Sequence, residues 1–110
     1  MNQLIPYIGQ EELRFRCQEF FGECLSLLQG KSKDYSAVDD AFANFRMAAE
    51  ITGMSMEQVI FIYLLKHLSA VENHLRGVQL GEEDLVSKMK DICNYFAIWA
   101  TLKRLEGSAE

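Results

Sequence analysis

Between Leu13 and Leu28 the apolar residues Leu13, Cys17, Phe20, Phe21, Cys24, Leu27 and Leu28 recur at i, i+4, i+7, i+8, i+11, i+14 and i+15. That is one stripe of an α-helix, and it excludes a strand, whose faces alternate every two residues. The same period returns three more times. Gly30 is expected to end the first helix, because a glycine commonly takes the left-handed position that closes one. Ser36, three residues before Asp39, is a helix-start signal, and Val38, Ala41, Phe42, Phe45 and Ala49 give the next buried face. Gly53 interrupts the pattern, and Ser55 with Gln58 three residues later predicts a capping box for a third helix. From Val59 to Leu65 that helix is apolar nearly all round, so neighbours are expected to cover most of it.

Gly77 and Gly81 bracket a turn; Glu82, Glu83 and Asp84 then form an acidic first turn, favourable at the positive end of a helix. Leu85, Met89, Ile92, Phe96 and Trp99 carry a fourth stripe, expected to run to about Leu105. The single proline, Pro6, precedes all of this, and no run of strand period is convincing. The expectation is an all-α, four-helix bundle in one domain, residues 1–110, with about 1–10 and 106–110 loosely ordered.

Sixteen acidic against eleven basic side chains leave a net charge of −5, with no basic cluster to offset it. A phosphate backbone would be repelled, so neither DNA nor RNA is an expected partner. Cys17, Cys24 and Cys93 are odd in number, and on one helix Cys17 and Cys24 stand about 10.5 Å apart along the axis, too far for a disulfide. A reduced, cytoplasmic protein fits, with no secretory leader and no stretch of about 18 uncharged apolar residues for a membrane span.

Two groups of polar residues are candidates for chemistry. Asp84, Lys88 and Asp91 share one side of the fourth helix. Spacing alone makes them a solvated charged stripe; functionally, Asp91 with Glu83 or Asp84 is a candidate pair for a hard cation such as Mg²⁺. Carboxylates from a second segment are then needed, and Asp34, Asp39 and Asp40 are the candidates, although capping alone accounts for Asp39. Lys31 and Lys33 could meet a phosphate as point charges. Tyr35, Phe42, Phe45 and Tyr95 could stack on a base, but aromatic residues at helical spacing are more often core. His67 and His74 lack a third ligand at a zinc spacing and read as lone surface or half-buried imidazoles. The cysteines read as small apolar groups, and no nucleophile triad or glycine-rich phosphate loop is present.

The ordered set Lys33, Asp34, Tyr35, Asp39, Asp40, Phe42, Asn44, Phe45, then Lys66, Glu83, and finally Asp91, Asn94, Tyr95 resembles small phage and prophage domains of the MazG-like, all-α nucleoside triphosphate pyrophosphohydrolase group, including those linked to nucleotide modification. The resemblance spans about Lys31 to Leu105. It implies a dimer or tetramer that holds Mg²⁺ on carboxylates of two helices and cleaves nucleoside triphosphates to monophosphate and pyrophosphate. Carried onto this chain, it implies Asp91 and Lys66 as catalytic residues and Glu83, Asp91 and Asp39 as metal ligands. Lys33, Asp34, Tyr35, Asn44, Phe45, Arg46, Asn94 and Tyr95 would contact the nucleotide. The chain departs from the pattern at Leu65 and Ser87, where the group carries acidic residues, at Ser69, where it carries Arg, and in lacking the ExxE and ExxD pair. The other expectation is therefore a catalytically inactive helical phage protein that binds a nucleotide signal or a host protein.

Overall fold

The computed structural model describes residues 5–35 and 40–108, the side chains of residues 31–35 excepted. Among the described residues there are four helices: α1 (Gln10–Tyr35), α2 (Ala43–Thr52), α3 (Met56–Leu75) and α4 (Glu82–Ser108). Among the described residues there is no strand.

The first departure from expectation is at Gly30, which does not end α1; the helix continues to Tyr35. A glycine inside a helix costs about 1 kcal/mol relative to alanine, and cooperative hydrogen bonding on both sides outweighs that. Ser36, Val38 and Asp39 lie outside the described residues. The start of α2 is organised instead by Asp40. Its Oδ1 accepts from the Phe42 N–H at 3.0 Å, its Oδ2 accepts from Arg46 Nε at 2.8 Å, and its carbonyl accepts from the Ala43 N–H at 3.1 Å. The Phe42 amide first, and then Arg46, hold the Asp40 carboxyl below its ordinary range.

Gly53 closes α2 in the left-handed conformation (φ 76°), with its N–H bonded to the Ala49 carbonyl. Only a residue without Cβ takes that turn without strain. The chain then bends by 103° into α3. The capping box is present as the sequence predicts: Ser55 Oγ accepts from the Gln58 N–H at 3.1 Å, and Gln58 Oε1 accepts from the Ser55 N–H at 2.9 Å. Gly77 (φ 101°) turns the chain toward α4, whose first turn is acidic as expected and whose end lies at Ser108, three residues past Leu105.

The bundle packs as an open row in the order α2, α3, α4, α1. Among the described residues α1 lies close only to α4, and α2 only to α3. The core sits in the seam between α3 and α4, where Ile60 and Leu64 are fully buried, with Val59 and Leu102 beside them and Cys24 of α1 on the far side of α4. The expected all-round cover of α3 is not met. Val59, Ile60 and Leu64 face its neighbours, whereas Phe61, Ile62, Tyr63 and Leu65 remain more than 40 % exposed, because an open row covers only two flanks of its inner helices. The molecule measures 49 × 32 × 28 Å, with a radius of gyration of 16.9 Å. Among the described residues no single helix is long and apolar enough to cross a membrane.

Candidate functional site on the α3–α4 seam

Residues one turn apart on an α-helix lie on the same face. In the antiparallel pair α3–α4 this brings two such couples together, Tyr63 and His67 on α3 against Asp91 and Tyr95 on α4. His67 Nδ1 lies 3.7 Å from Asp91 Oδ2, an ion pair when the imidazole is protonated. The His67 ring stacks on Tyr95 (centroids 5.5 Å, 28° between planes), and Tyr95 stacks on Tyr63 (6.1 Å, 5°). Phe45 of α2 meets Tyr63 edge to face at 5.9 Å, and Phe42 follows at 6.4 Å. A continuous line of rings therefore runs from α2 over α3 to α4 and ends at Asp91.

Asp91 is the one buried charged residue among those described, at 8 % exposure. A carboxylate taken out of water is costly unless partners compensate it, and their arrangement around it makes this the most specific polar feature of the fold. His67 is the partner that local sequence reading missed. Its only signal is the matched i, i+4 spacing of 63/67 and 91/95, which acquires meaning once the helices are known to be antiparallel neighbours.

The structure distributes the other candidates unevenly. Phe45 and Tyr95 join the line of rings. Asn94 instead ties helices together, its Nδ2 donating to the Cys24 carbonyl of α1 at 2.9 Å, so its amide N–H is engaged in packing. Arg46 is exposed and paired with Asp40, and Asn44 is exposed beside it. Lys66 is exposed on α3, next in sequence to His67. Glu83 is exposed in the first turn of α4, and eight residues of rise put about 12 Å between its backbone and that of Asp91. Lys33, Asp34 and Tyr35 form the last turn of α1, where the backbone alone is described, and Asp39 lies outside the described residues. Among the described residues no three His, Cys, Asp or Glu side chains are grouped to hold a metal ion. Of the Mg²⁺ set implied by the resemblance, Glu83 and Asp91 are set apart along one helix, and Asp39 lies outside the described residues.

A second polar feature lies on the other flank of α4. An open groove of about 700 Å³ runs between α1 and α4, lined by Glu19, Glu23, Ser26, Ser87 and Lys90 among others. Lys90 Nζ bridges it to Glu23 at 2.8 Å. The neighbouring Cys24 thiol is pushed up from its ordinary value by burial first and by the nearby Cys93 second. At the opposite end of the seam Trp99 Nε1 donates to Glu57 Oε1 at 2.8 Å, and Lys103 Nζ stands 3.4 Å from the same oxygen. The indole hydrogen bond first, then Lys103, keeps the Glu57 carboxyl below the usual range.

Comparison with protein-family models, with curated proteins and with solved structures gave no match.

Proposed function

We propose that this chain is a MazG-like nucleotide-binding protein of phage or prophage type, acting in the host cytoplasm, with its ligand seated along the Phe45–Tyr63–Tyr95–His67 line above Asp91. The observation that carries the reading is the buried Asp91 facing His67 at the end of that line. Half-exposed Tyr63 offers a base a ring to stack on or abut, and Lys66, next in sequence to His67, offers a phosphate a mobile positive charge. Lys33, Asp34 and Tyr35, which the family resemblance adds, reach the end of α1 just before the link to α2.

Two forms of the proposal differ in chemistry. In the stronger form Mg²⁺ bound by Asp91 and further carboxylates supports pyrophosphate release. In the weaker form the protein binds a nucleotide signal, or a host protein, without turnover. Mg²⁺ needs oxygen ligands in near-octahedral array, so the stronger form requires carboxylates beyond Asp91.

Calorimetric titration with a panel of nucleoside triphosphates, with and without Mg²⁺ and with pyrophosphate assayed in the same samples, tests both. Binding weakened at least tenfold in Asp91→Asn and Tyr95→Ala supports the site. Pyrophosphate release that needs Mg²⁺ selects the enzyme form, and binding without release selects the other. Failure of every nucleotide to bind, or binding untouched by both substitutions, overturns the proposal.

A further inference from the structure

The fold sorts the three cysteines of the chain into different surroundings: Cys17 is exposed on α1, Cys24 is buried, and Cys93 of α4 is half-buried. Seven residues of helix hold Cys17 about 10.5 Å from Cys24 along the axis of α1, out of disulfide reach. Cys24 and Cys93, on different helices, are instead neighbours. The Cys24 thiol is near enough to Cys93 to share a side-chain hydrogen bond with it. Two further contacts pin the helices at the same level. Asn94 Nδ2 reaches the carbonyl of Cys24 itself at 2.9 Å, and Lys90 Nζ reaches Glu23 at 2.8 Å. A side chain as short as asparagine touches the backbone of another helix only where the two backbones pass closely. Close backbones are the first requirement of a disulfide, whose Cα atoms stand within roughly 7 Å of each other.

We propose that Cys24 and Cys93 form a reversible disulfide that locks α1 onto α4, with a low-molecular-weight disulfide as the oxidant. Cys93, the less buried of the two, meets the oxidant first. Its thiolate attacks one sulfur of the small disulfide, which makes a mixed disulfide on Cys93 and releases one small thiol. Cys24 then gives up its proton and attacks the Cys93 sulfur, and the second small thiol leaves. Two protein thiols are oxidised to one disulfide, one small disulfide is reduced to two thiols, and both protons end on the released thiols. Burial holds the Cys24 thiol protonated and slows its direct reaction with the oxidant, while the nearby Lys90 ammonium favours the thiolate needed in the second step. That step brings together sulfurs that are already adjacent, so it needs no encounter.

The bond acts on the helix that the fold holds least. Among the described residues α1 lies close only to α4, and the disulfide closes a loop that contains the whole of α2 and α3. A long loop of this kind removes much of the freedom of the unfolded chain and stops α1 from lifting away by itself. Where thiols are otherwise kept reduced, such a bond is transient and reports the redox state of its surroundings. The inference is independent of the nucleotide reading, since Cys93 stands about 200° round α4 from both Asp91 and Tyr95.

Incubation of the reduced full chain with glutathione disulfide, followed by alkylation and mass mapping of the peptides, tests it. The expected product is a Cys24–Cys93 linked peptide that has lost two hydrogens, with Cys17 outside the bridge. Conversion of the Cys93 mixed disulfide to the bridge is expected to run at least about a hundredfold faster in the folded protein than in urea, where the two sulfurs meet only by chance. Hydrogen exchange around Cys24 in α1 is expected to slow about tenfold or more in the bridged form and to recover with dithiothreitol. Cys93→Ser is expected to leave Cys24 unmodified and to abolish the slowing, whereas Cys17→Ser changes neither. Failure of the bridge to form, a bridge that contains Cys17, closure no faster than in urea, or exchange in α1 untouched by bridging overturns the proposal. Should Cys93→Ser lose its helical circular dichroism, the wild-type map and exchange decide the outcome by themselves.

Discussion

The seam between α3 and α4 and the long helix α1 start from apolar stripes of the same kind and end in different states. Ile60 and Leu64 lie wholly inside the protein, whereas of the seven-residue stripe on α1 only Cys24 is buried and Leu13 and Phe21 stay about half exposed or more. The cause is the number of neighbours: among the described residues α3 lies between two helices, and α1 rests against α4 alone. A stripe states that a face has to be covered. It does not state whether the cover comes from the same chain.

The largest test of that contrast is truncation in each region. Leu64→Ala is expected to cost about 3 kcal/mol in urea unfolding, while Leu13→Ala is expected to cost less than about 1 kcal/mol; equal losses would erase the distinction. Next, Asn94→Ala is expected to remove about 1 kcal/mol and to raise hydrogen exchange in α1 selectively, because this amide, together with the Lys90–Glu23 pair, ties α1 to α4. Exchange that rises equally in α3 would show that α1 is not a separable layer.

Thiol reactivity sharpens the same comparison without perturbing it. Exposed Cys17 is expected to react with a disulfide reagent roughly tenfold or more faster than buried Cys24, whose thiol is pushed up and stays protonated further into the alkaline range. Mass-mapped labelling over time reads both sites on one helix, and equal rates would mean that α1 detaches from α4 in solution.

On the seam, the depressed Glu57 carboxyl predicts a pH dependence of fixed sign. Its folded value lies below its unfolded one, so its contribution is fully present above the ordinary carboxylate range and is lost as pH falls through the folded value. Trp99 emission during acid titration should report that loss, and Glu57→Gln should flatten the step. The smallest effect is expected at the exposed Arg16–Glu12 pair of α1, where Arg16→Ala should change stability by less than about 0.5 kcal/mol in the same urea series.

Much of the secondary structure was legible because its signals are local. Ser55 with Gln58, Gly53 after α2, and the acidic turn at Glu82–Asp84 each act within four residues of themselves, and each appears where the sequence puts it. Gly30 misled because a glycine marks a helix end only when the flanking residues stop supporting the helix, and here they do not. The site was less legible. Asp91 stood out, but as one of a charged row with Asp84 and Lys88, and His67 passed for a solitary imidazole. Their pairing spans two helices, and periodicity within one helix carries no information about which neighbour it will meet. The cross-helix bonds of Trp99 to Glu57 and of Asn94 to Cys24 were hidden for the same reason.

The open order of the row bears on how the chain is made. Neighbours α2 and α3, and then α3 and α4, are consecutive in sequence, so their loops close cheaply and early. The contact of α1 is with the last helix, seventy residues away between Cys24 and Asn94. During synthesis α1 emerges before the other three helices, and among the described residues the surface it packs on is complete only with α4. Its stripe of Leu13, Phe20, Phe21 and Leu27 therefore stays uncovered until α4 has been made, which makes α1 the one of these four helices most in need of a chaperone.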